Sequence, residues 1–357
     1  MLFMLVIHPA CAGQAGAHGD HHETVPTSNE FDAGKLIMEH ISDAYSWHLW
    51  GHTSLPLPVI VYSEDRGLNV FSSGRFNHGH MTYAGYALIE NKLVAISEMG
   101  QVHVADATVD EMVTASLWDI SITKNVLALF ISLGLLLWIF ISVAGAYTRN
   151  RGKAPAGLQS LIEPIIVFIR DEVARNVIGE KHYRRFLPYL LTVFFFIWIN
   201  NILGLIPVFP GGANLTGNIA IPMILALFTF IITAVSGNAH YWQHIVAMPG
   251  VPKWVLVILT PIEVLGVFIK PFVLMVRLFA NITAGHIVLL VFFFLIFIFG
   301  QNSALGGFIT SVPALAFTIF INCLELLVGL LQAYVFTFLS AIYFGMAVAG
   351  GHEEAHH

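Results

Sequence analysis

Long apolar runs without a charged side chain are the feature that most constrains this chain. Residues 125–147 form the first such run, and at ~1.5 Å per residue a helix of that length crosses a hydrocarbon core of ~30 Å. Charge-free runs follow at residues 186–209 and 219–235, and two longer apolar runs at 254–299 and 308–350 carry only Glu263, Lys270, Arg277 and Glu325 as charged residues. Five helical crossings are therefore predicted, because only structures that satisfy their own backbone polar groups can span lipid.

Composition supports a membrane protein. Of the 357 residues, 57% are hydrophobic and 11% are charged, whereas soluble domains average about 25% charged residues. No basic patch indicates nucleic acid as a partner. The two cysteines, Cys11 and Cys323, lie far apart in the sequence, so they predict neither a disulfide framework nor a zinc site.

The first third of the chain has a different character. Residues 1–17 combine a short apolar core with small residues and predict a signal peptide; a disordered tail or a misassigned start are the alternatives. Residues 18–118 predict a small exported domain with some β structure, because they contain the strand-like runs LPVIVYS, LNVFSSG and KLVAIS. His18, His21 and His22 could bind a metal, but such a cluster is more typical of a solvated linker.

The distribution of positive charge orients the chain in the membrane. The segment after the first apolar run is basic and is predicted to be cytoplasmic by the positive-inside rule; its basic residues are Arg149, Arg151, Lys153, Arg170, Arg175, Lys181, Arg184 and Arg185. Residues 157–179 have helical periodicity and are predicted to lie along the membrane surface. The loop 236–253 is then internal, the turns 210–218 and 300–307 are external, and residues 351–357 form a cytoplasmic tail.

Arg277 lies within one of the most apolar stretches, VLMVRLFANITAGHIVLL. A charge in the middle of a membrane costs about 2.5–3.5 kcal/mol on insertion scales, so such a residue is a functional candidate. A snorkelling arginine or a structural ion pair are the plainer interpretations. At ~100° per residue, Ala280, Asn281 and Ala284 share the face of Arg277, and small residues there allow another helix to approach. His286 falls on roughly the opposite face.

The last apolar run carries a polar stripe made of Asn322, Glu325, Gly329 and Gln332. If this helix and the preceding one form an antiparallel hairpin, Arg277 lies level with Gln332, and His286 lies level with Glu325. A carboxylate and an imidazole at one level can exchange protons, although a satisfied buried pair is the plainer alternative. Arg277 itself cannot release its proton. Its role would be to attract a carboxylate on a partner subunit.

These residues resemble the a subunit of F-type ATP synthases, the stator half of the membrane motor. The resemblance covers about residues 120–348. It rests on KPFVLMVRLFANITAGH at 270–286 and LELLVGLLQAYVFTFL at 324–339, with support from NNILGLIP at 200–207 and PIEVLGVFIKP at 261–271. It implies an all-α polytopic fold whose two long tilted helices form a hairpin, with residues 119–350 as the ion-translocation domain.

The resemblance also implies the roles of individual residues. Arg277 matches the essential arginine that faces the ring of c subunits, and Asn281 and Gln332 match the polar residues beside it. His286 and Glu325 fit the outer half-channel, and Glu263 fits the inner one. Protons or Na⁺ would pass through these half-channels to and from the rotating ring and drive ATP synthesis, although the subunit alone catalyses no reaction.

Further expectations follow from the same resemblance. The partners are the c ring, the b-type peripheral stalk and the rest of the F1F0 complex in a bacterial inner membrane, with the N-terminal domain outside and the C-terminus cytoplasmic. The turn 210–218 lacks the acidic residues found in many members, so Asn214 and Asn218 are only weak candidates for the channel entrance. The roles of the N-terminal domain and of the long 236–253 loop do not carry over from the family.

Several alternatives remain. HEEAH at 352–356 matches a zinc-protease pattern, but a polar tail is the favoured interpretation, as is an interfacial loop for His240 and His244. No cofactor or metal site is expected. The serious alternative is a self-contained proton-coupled transporter or channel, which would need its own substrate cavity. A membrane-anchored sensor would explain residues 18–118 but neither Arg277 nor Glu325.

Overall fold

The computed structural model describes residues 42–50, 53–89, 91–97, 100–150, 152–206, 211–213, 215–246, 248, 251–302 and 304–349. The predicted signal peptide, the histidine cluster at 18–22, Asn214 and the tail at 351–357 lie outside the described residues.

The described part of residues 42–122 consists of short antiparallel sheets. Its strands are β1 (Ser46–Trp50), β2 (Thr53–Pro56), β3 (Pro58–Ser63), β4 (Gly67–Ser72), β5 (Tyr86–Ile89), β6 (Lys92–Ala95) and β7 (Trp118–Asp119). β1 pairs with β2, β5 pairs with β6, and β3 lies between β4 and β7. A short helix, α1 (Glu111–Ala115), precedes β7.

Alternation along the strands builds the core of this part. Val59 and Val61 of β3 point inward and are fully buried together with Phe76 and Tyr86, because successive side chains of a strand point to opposite faces. The Tyr45 hydroxyl donates a short hydrogen bond to the Asp119 carboxylate. Burial and this bond raise the pKa of Tyr45, so the hydroxyl stays protonated and ties the start of β1 to β7.

Helices dominate the rest of the described chain. They are α2 (Lys124–Arg149), α3 (Leu158–Phe168), α4 (Asn176–Ile178), α5 (Tyr183–Leu205), α6 (Ala220–Ser236), α7 (Ala239–Val246), α8 (Lys253–Asn302) and α9 (Ala304–Val348). A π-helical stretch, Ile169–Arg175, joins α3 to α4. Within it the Arg170 guanidinium, hydrogen-bonded to Asp171, holds the pKa of that carboxyl below its usual value.

The number of membrane-spanning helices agrees with a polytopic protein. In the described chain α2, α5, α8 and α9 are long and apolar enough to cross a membrane, and α6 with α7 adds a fifth span if this bent pair counts as one. The prediction of a polytopic helical membrane protein is therefore confirmed at this level. The strands of residues 46–119 lie outside these spans.

The sequence did not predict the short helix α7 (Ala239–Val246) within the loop 236–253. The chain bends by 105° between α6 and α7. At the bend, the Asn238 backbone N–H donates to the Ala347 carbonyl at 2.9 Å, and its side-chain amide donates to the Val348 carbonyl at 3.0 Å. The bonds to the end of α9 therefore fix the start of α7 in a segment that the sequence predicted as a loop.

α8 and α9 form a long antiparallel hairpin. α8 has 50 residues, hence a length of about 75 Å, which exceeds twice the thickness of a hydrocarbon core. It is one continuous helix through Pro261 and Pro271. The rings of Phe292 and Phe317 stack across the hairpin with centroids 5.4 Å apart.

Candidate functional site

The two sides of α8 differ in the middle of the hairpin. Leu274, Leu278 and Ile282 are buried against the other helices. The residues predicted to share the face of Arg277 are all exposed, namely Ala280, Asn281 and Ala284 together with Arg277 itself. A charged side chain is thus surrounded by small residues on an open surface, which leaves room for another helix to approach closely.

Arg277 carries an uncompensated charge. None of the described residues forms a hydrogen bond or an ion pair with its guanidinium. An unpaired charge inside a membrane is costly, and arginine cannot reduce that cost by losing its proton. The exposed position therefore favours a negatively charged group supplied by another molecule.

Asn281 and Gln332 join the two arms of the hairpin beside this charge. The Asn281 side-chain amide donates a hydrogen bond of 2.9 Å to Oε1 of Gln332. Gln332 is buried, and its Nε2 has no hydrogen-bond partner among the described residues. The two residues expected to flank Arg277 thus bond to each other, and one buried amide donor stays unused near the arginine.

Glu325 and His286 line one small cavity behind α8. Glu325 is 7% exposed, and neither of its carboxylate oxygens has a hydrogen-bond partner in the described chain. The cavity has a volume of about 10 Å³ and is lined by Asn200, Asn201, Gly204, Leu205, Thr216, Ile282, His286 and Glu325. This space is about the minimum for one water molecule. The structure therefore brings the predicted imidazole and carboxylate to one polar cavity.

Glycine makes room for the carboxylate. A Cβ added to Gly285 would collide with the Glu325 carboxylate and would lie 2.9 Å from its Cδ. Real side chains essentially never approach a Cβ this closely, so Glu325 can occupy its position only because residue 285 has no side chain.

Asn201 and Thr216 were not singled out as site residues in the sequence. Thr216 Oγ1 donates to Oδ1 of Asn201 at 3.0 Å, and the Asn201 amide donates to the Gly329 carbonyl at 3.0 Å. These bonds connect the turn after α5, α5 itself and α9. The signal for Asn201 was the pair of adjacent asparagines, Asn200 and Asn201, within an apolar run.

The remaining candidates lie apart from these two places. Glu263 is half-buried and forms no ion pair with a described residue; it precedes Arg277 by about 21 Å along α8. Oδ1 of Asn218 accepts the backbone N–H of Ala220 at the start of α6, which is a structural role. The rings of His240 and His244 are 6.5 Å apart, and the described residues contain no group of three metal-ligating side chains.

These features define a class: polytopic membrane proteins that present an unpaired arginine on the open face of a helical hairpin, with a carboxylate in a polar cavity behind it. Residues 126–345 match the family model of the ATP synthase A chain, and residues 36–120 match a domain of unknown function, DUF8433. The chain belongs to the ATP synthase A chain family.

Curated relatives support this assignment. ATP synthase subunit a 2 of Chlorobaculum tepidum is 42% identical over 276 residues, which cover 75% of this chain and 73% of the relative. ATP synthase subunit a 2 of Chlorobium luteolum is 49% identical over 247 residues, covering 67% and 69%. ATP synthase subunit a of Myxococcus xanthus is 42% identical over 244 residues, covering 67% and 77%.

Proposed function

We propose that this chain is the ion-conducting stator subunit of the membrane sector of an F-type ATP synthase. The proposal rests on Arg277, which lies on the open face of the α8–α9 hairpin between small residues, Ala280 and Ala284. Its guanidinium forms no ion pair with a described residue. This surface suits a ring of c subunits whose carboxylates pass the arginine in turn. The names of the relatives, all ATP synthase subunits a, support it.

Arg277 acts as a fixed positive charge. It stays protonated at any physiological pH, so it attracts a carboxylate on the ring and favours the ionised form of that carboxylate. The ring carboxylate therefore releases its ion when it reaches the arginine. The same charge repels protons and blocks a direct leak between the two half-channels. Asn281 and Gln332 keep the hairpin arms in register beside it.

Glu325 and His286 form the ion-uptake site. Their cavity lies on the side of α8 away from Arg277, and the two residues Arg277 and His286 are about 13 Å apart along the helix. An ion passes through this cavity, neutralises a carboxylate of the ring and lets that c subunit turn into lipid. After nearly a full turn the ion leaves near Glu263.

The transmembrane potential drives this cycle. Moving one charge through 100 mV yields about 2.3 kcal/mol, so several ions must cross for each ATP. The carried ion is H⁺ or Na⁺, and the ring provides the ion-binding carboxylates.

The same proposal includes the surroundings of the chain. The N-terminal domain lies outside a bacterial inner membrane after removal of a signal peptide, and the C-terminus is cytoplasmic. The basic segment between α2 and α5 supports this orientation. The partners are the c ring, b-type stalk subunits and the remainder of the F1F0 complex.

Purification in mild detergent tests the assembly. We expect a tagged chain to bring down c-ring and stalk subunits, and the complex in vesicles to make ATP when an ion gradient is imposed. Recovery of the chain alone, with ion flux through it in vesicles, would instead support the self-contained transporter and contradict the proposal.

A further inference from the structure

One contact between the strand-bearing part of the chain and the helices is made by a tryptophan. Trp47 of β1 is 2% exposed and forms a buried cluster with Ala128 of α2 and Ala213 in the turn between α5 and α6. Leu127 and Ile131 of α2 pack against this cluster. Trp47 therefore closes the junction between β1, the first turns of α2 and the turn that follows α5.

Behind Ala213 lies the uptake cavity. The carbonyl oxygen of Ala213 and Nε2 of His286 both lie 3.7 Å from the position that a Cβ on Gly204 would take. The Gly212 N–H donates to the Leu203 carbonyl at 3.2 Å, so the turn folds over the end of α5. Ala213 thus belongs to the cluster of Trp47 on one side and lies beside Gly204, in the wall of the cavity, on the other.

Polar side chains lie at the edge of this contact, and one of their buried oxygen atoms has no hydrogen-bond partner among the described residues. Asn125 lies one turn before Ala128, on the same face of α2, and its buried Oδ1 has no hydrogen-bond partner in the part of the chain that the structure describes. The Asp43 carboxylate accepts the backbone N–H groups of Ala44 and Asn125. A buried polar group without a protein partner is a typical position for water, so water has a place beside Trp47.

We propose that Trp47 controls the passage of water and ions from the strand-bearing side to the cavity of His286 and Glu325. This inference rests on the proposed function, because it assigns the cavity to ion uptake. Water reaches the polar edge at Asp43 and Asn125, and the indole ring separates it from Ala213 and the cavity. The strands hold Trp47 in place, since the Tyr45–Asp119 bond ties the start of β1 to the strand that leads into α2.

Thiol labelling of the assembled complex tests this role. Both native cysteines are replaced by serine, and Thr216→Cys places a thiol in the wall of the cavity. A charged, membrane-impermeant methanethiosulfonate is added to the strand-bearing side of oriented vesicles. We expect Trp47→Ala to raise the labelling rate about tenfold. This factor corresponds to a free energy of opening of the Trp47 contact that is lower by about 1.4 kcal/mol. Trp47→Phe should leave the labelling rate near that of the parent protein.

Trp118→Ala is the matched control, because Trp118 also lies in the strand-bearing part of the chain, on β7, but is 69% exposed; its labelling rate should not change. Reagent on the opposite side should not show the increase. If Trp47→Ala does not assemble, Trp47→Leu, which keeps an apolar side chain, replaces it. A rate that is unchanged when Trp47 is shortened, or that rises equally with Trp118→Ala, would overturn the inference. The labelling needs no ATP synthesis, so its result is independent of whether the proposed function fails.

Discussion

Asn281 lies one helical turn beyond Arg277 on α8, and its side-chain amide donates a 2.9 Å hydrogen bond to Oε1 of Gln332 on α9. This bond joins α8 to α9 at a level between the exposed arginine and the cavity of His286 and Glu325. The two sides of α8 differ at this level. The open face carries the fixed charge of Arg277, and the enclosed face lines the cavity that contains the Glu325 carboxylate. In the proposed cycle the first is the barrier and the second is the uptake site.

Glu325→Gln should slow ion uptake without preventing assembly. The amide keeps the shape of the side chain but cannot take up or release a proton, so the rate of ion-driven ATP synthesis should fall at least about tenfold. Its dependence on the pH of the uptake side should also flatten. Leu326→Ala, at an exposed neighbouring position, is the control. An unchanged rate and pH profile for Glu325→Gln would remove Glu325 from the uptake path.

Gly285→Ala should displace the Glu325 carboxylate. The new methyl group would collide with a carboxylate at the end of a flexible side chain, so we expect the chain to fold and the carboxylate to move within the cavity. Synthesis should fall several-fold, because a small misplacement of a functional group is costly. Gly266→Ala on the same helix meets no atom within 4 Å and should leave the rate unchanged. Equal rates for the two variants would contradict this packing.

Gly345→Ala should destabilise the protein rather than alter its chemistry. Its Cβ would lie 2.6 Å from the Val177 carbonyl oxygen, and because this atom belongs to the backbone, we expect a loss of about 1–3 kcal/mol. Gly134→Ala on α2 meets open space and should be neutral or stabilising by up to about 1 kcal/mol. Thermal unfolding in detergent compares them. An unchanged midpoint for Gly345→Ala would show that α9 does not pack closely against α4.

Much of the architecture follows from local features of the sequence. Apolar runs of spanning length predict the helices, and the helical repeat places Arg277 and Asn281 on the exposed face of α8 and His286 away from it. These inferences succeed because they depend on residues close together in the chain. The strand-like run LPVIVYS predicts β3 for the same reason.

Features that depend on distant contacts were not predicted. α7 is fixed by bonds between Asn238 and the end of α9, and the network of Asn201, Thr216 and Gly329 connects three separate segments. No periodicity in the sequence reveals which partner such residues meet.

Ion-driven ATP synthesis by the reconstituted complex with Arg277→Ala tests the central claim most directly. Arg277 is exposed and forms no ion pair with a described residue, so the variant should assemble with its partner subunits. Val276→Ala, an exposed neighbour, should retain normal synthesis and serves as the control. We expect no synthesis above background for Arg277→Ala in an assembled complex. Substantial synthesis by that variant would contradict it.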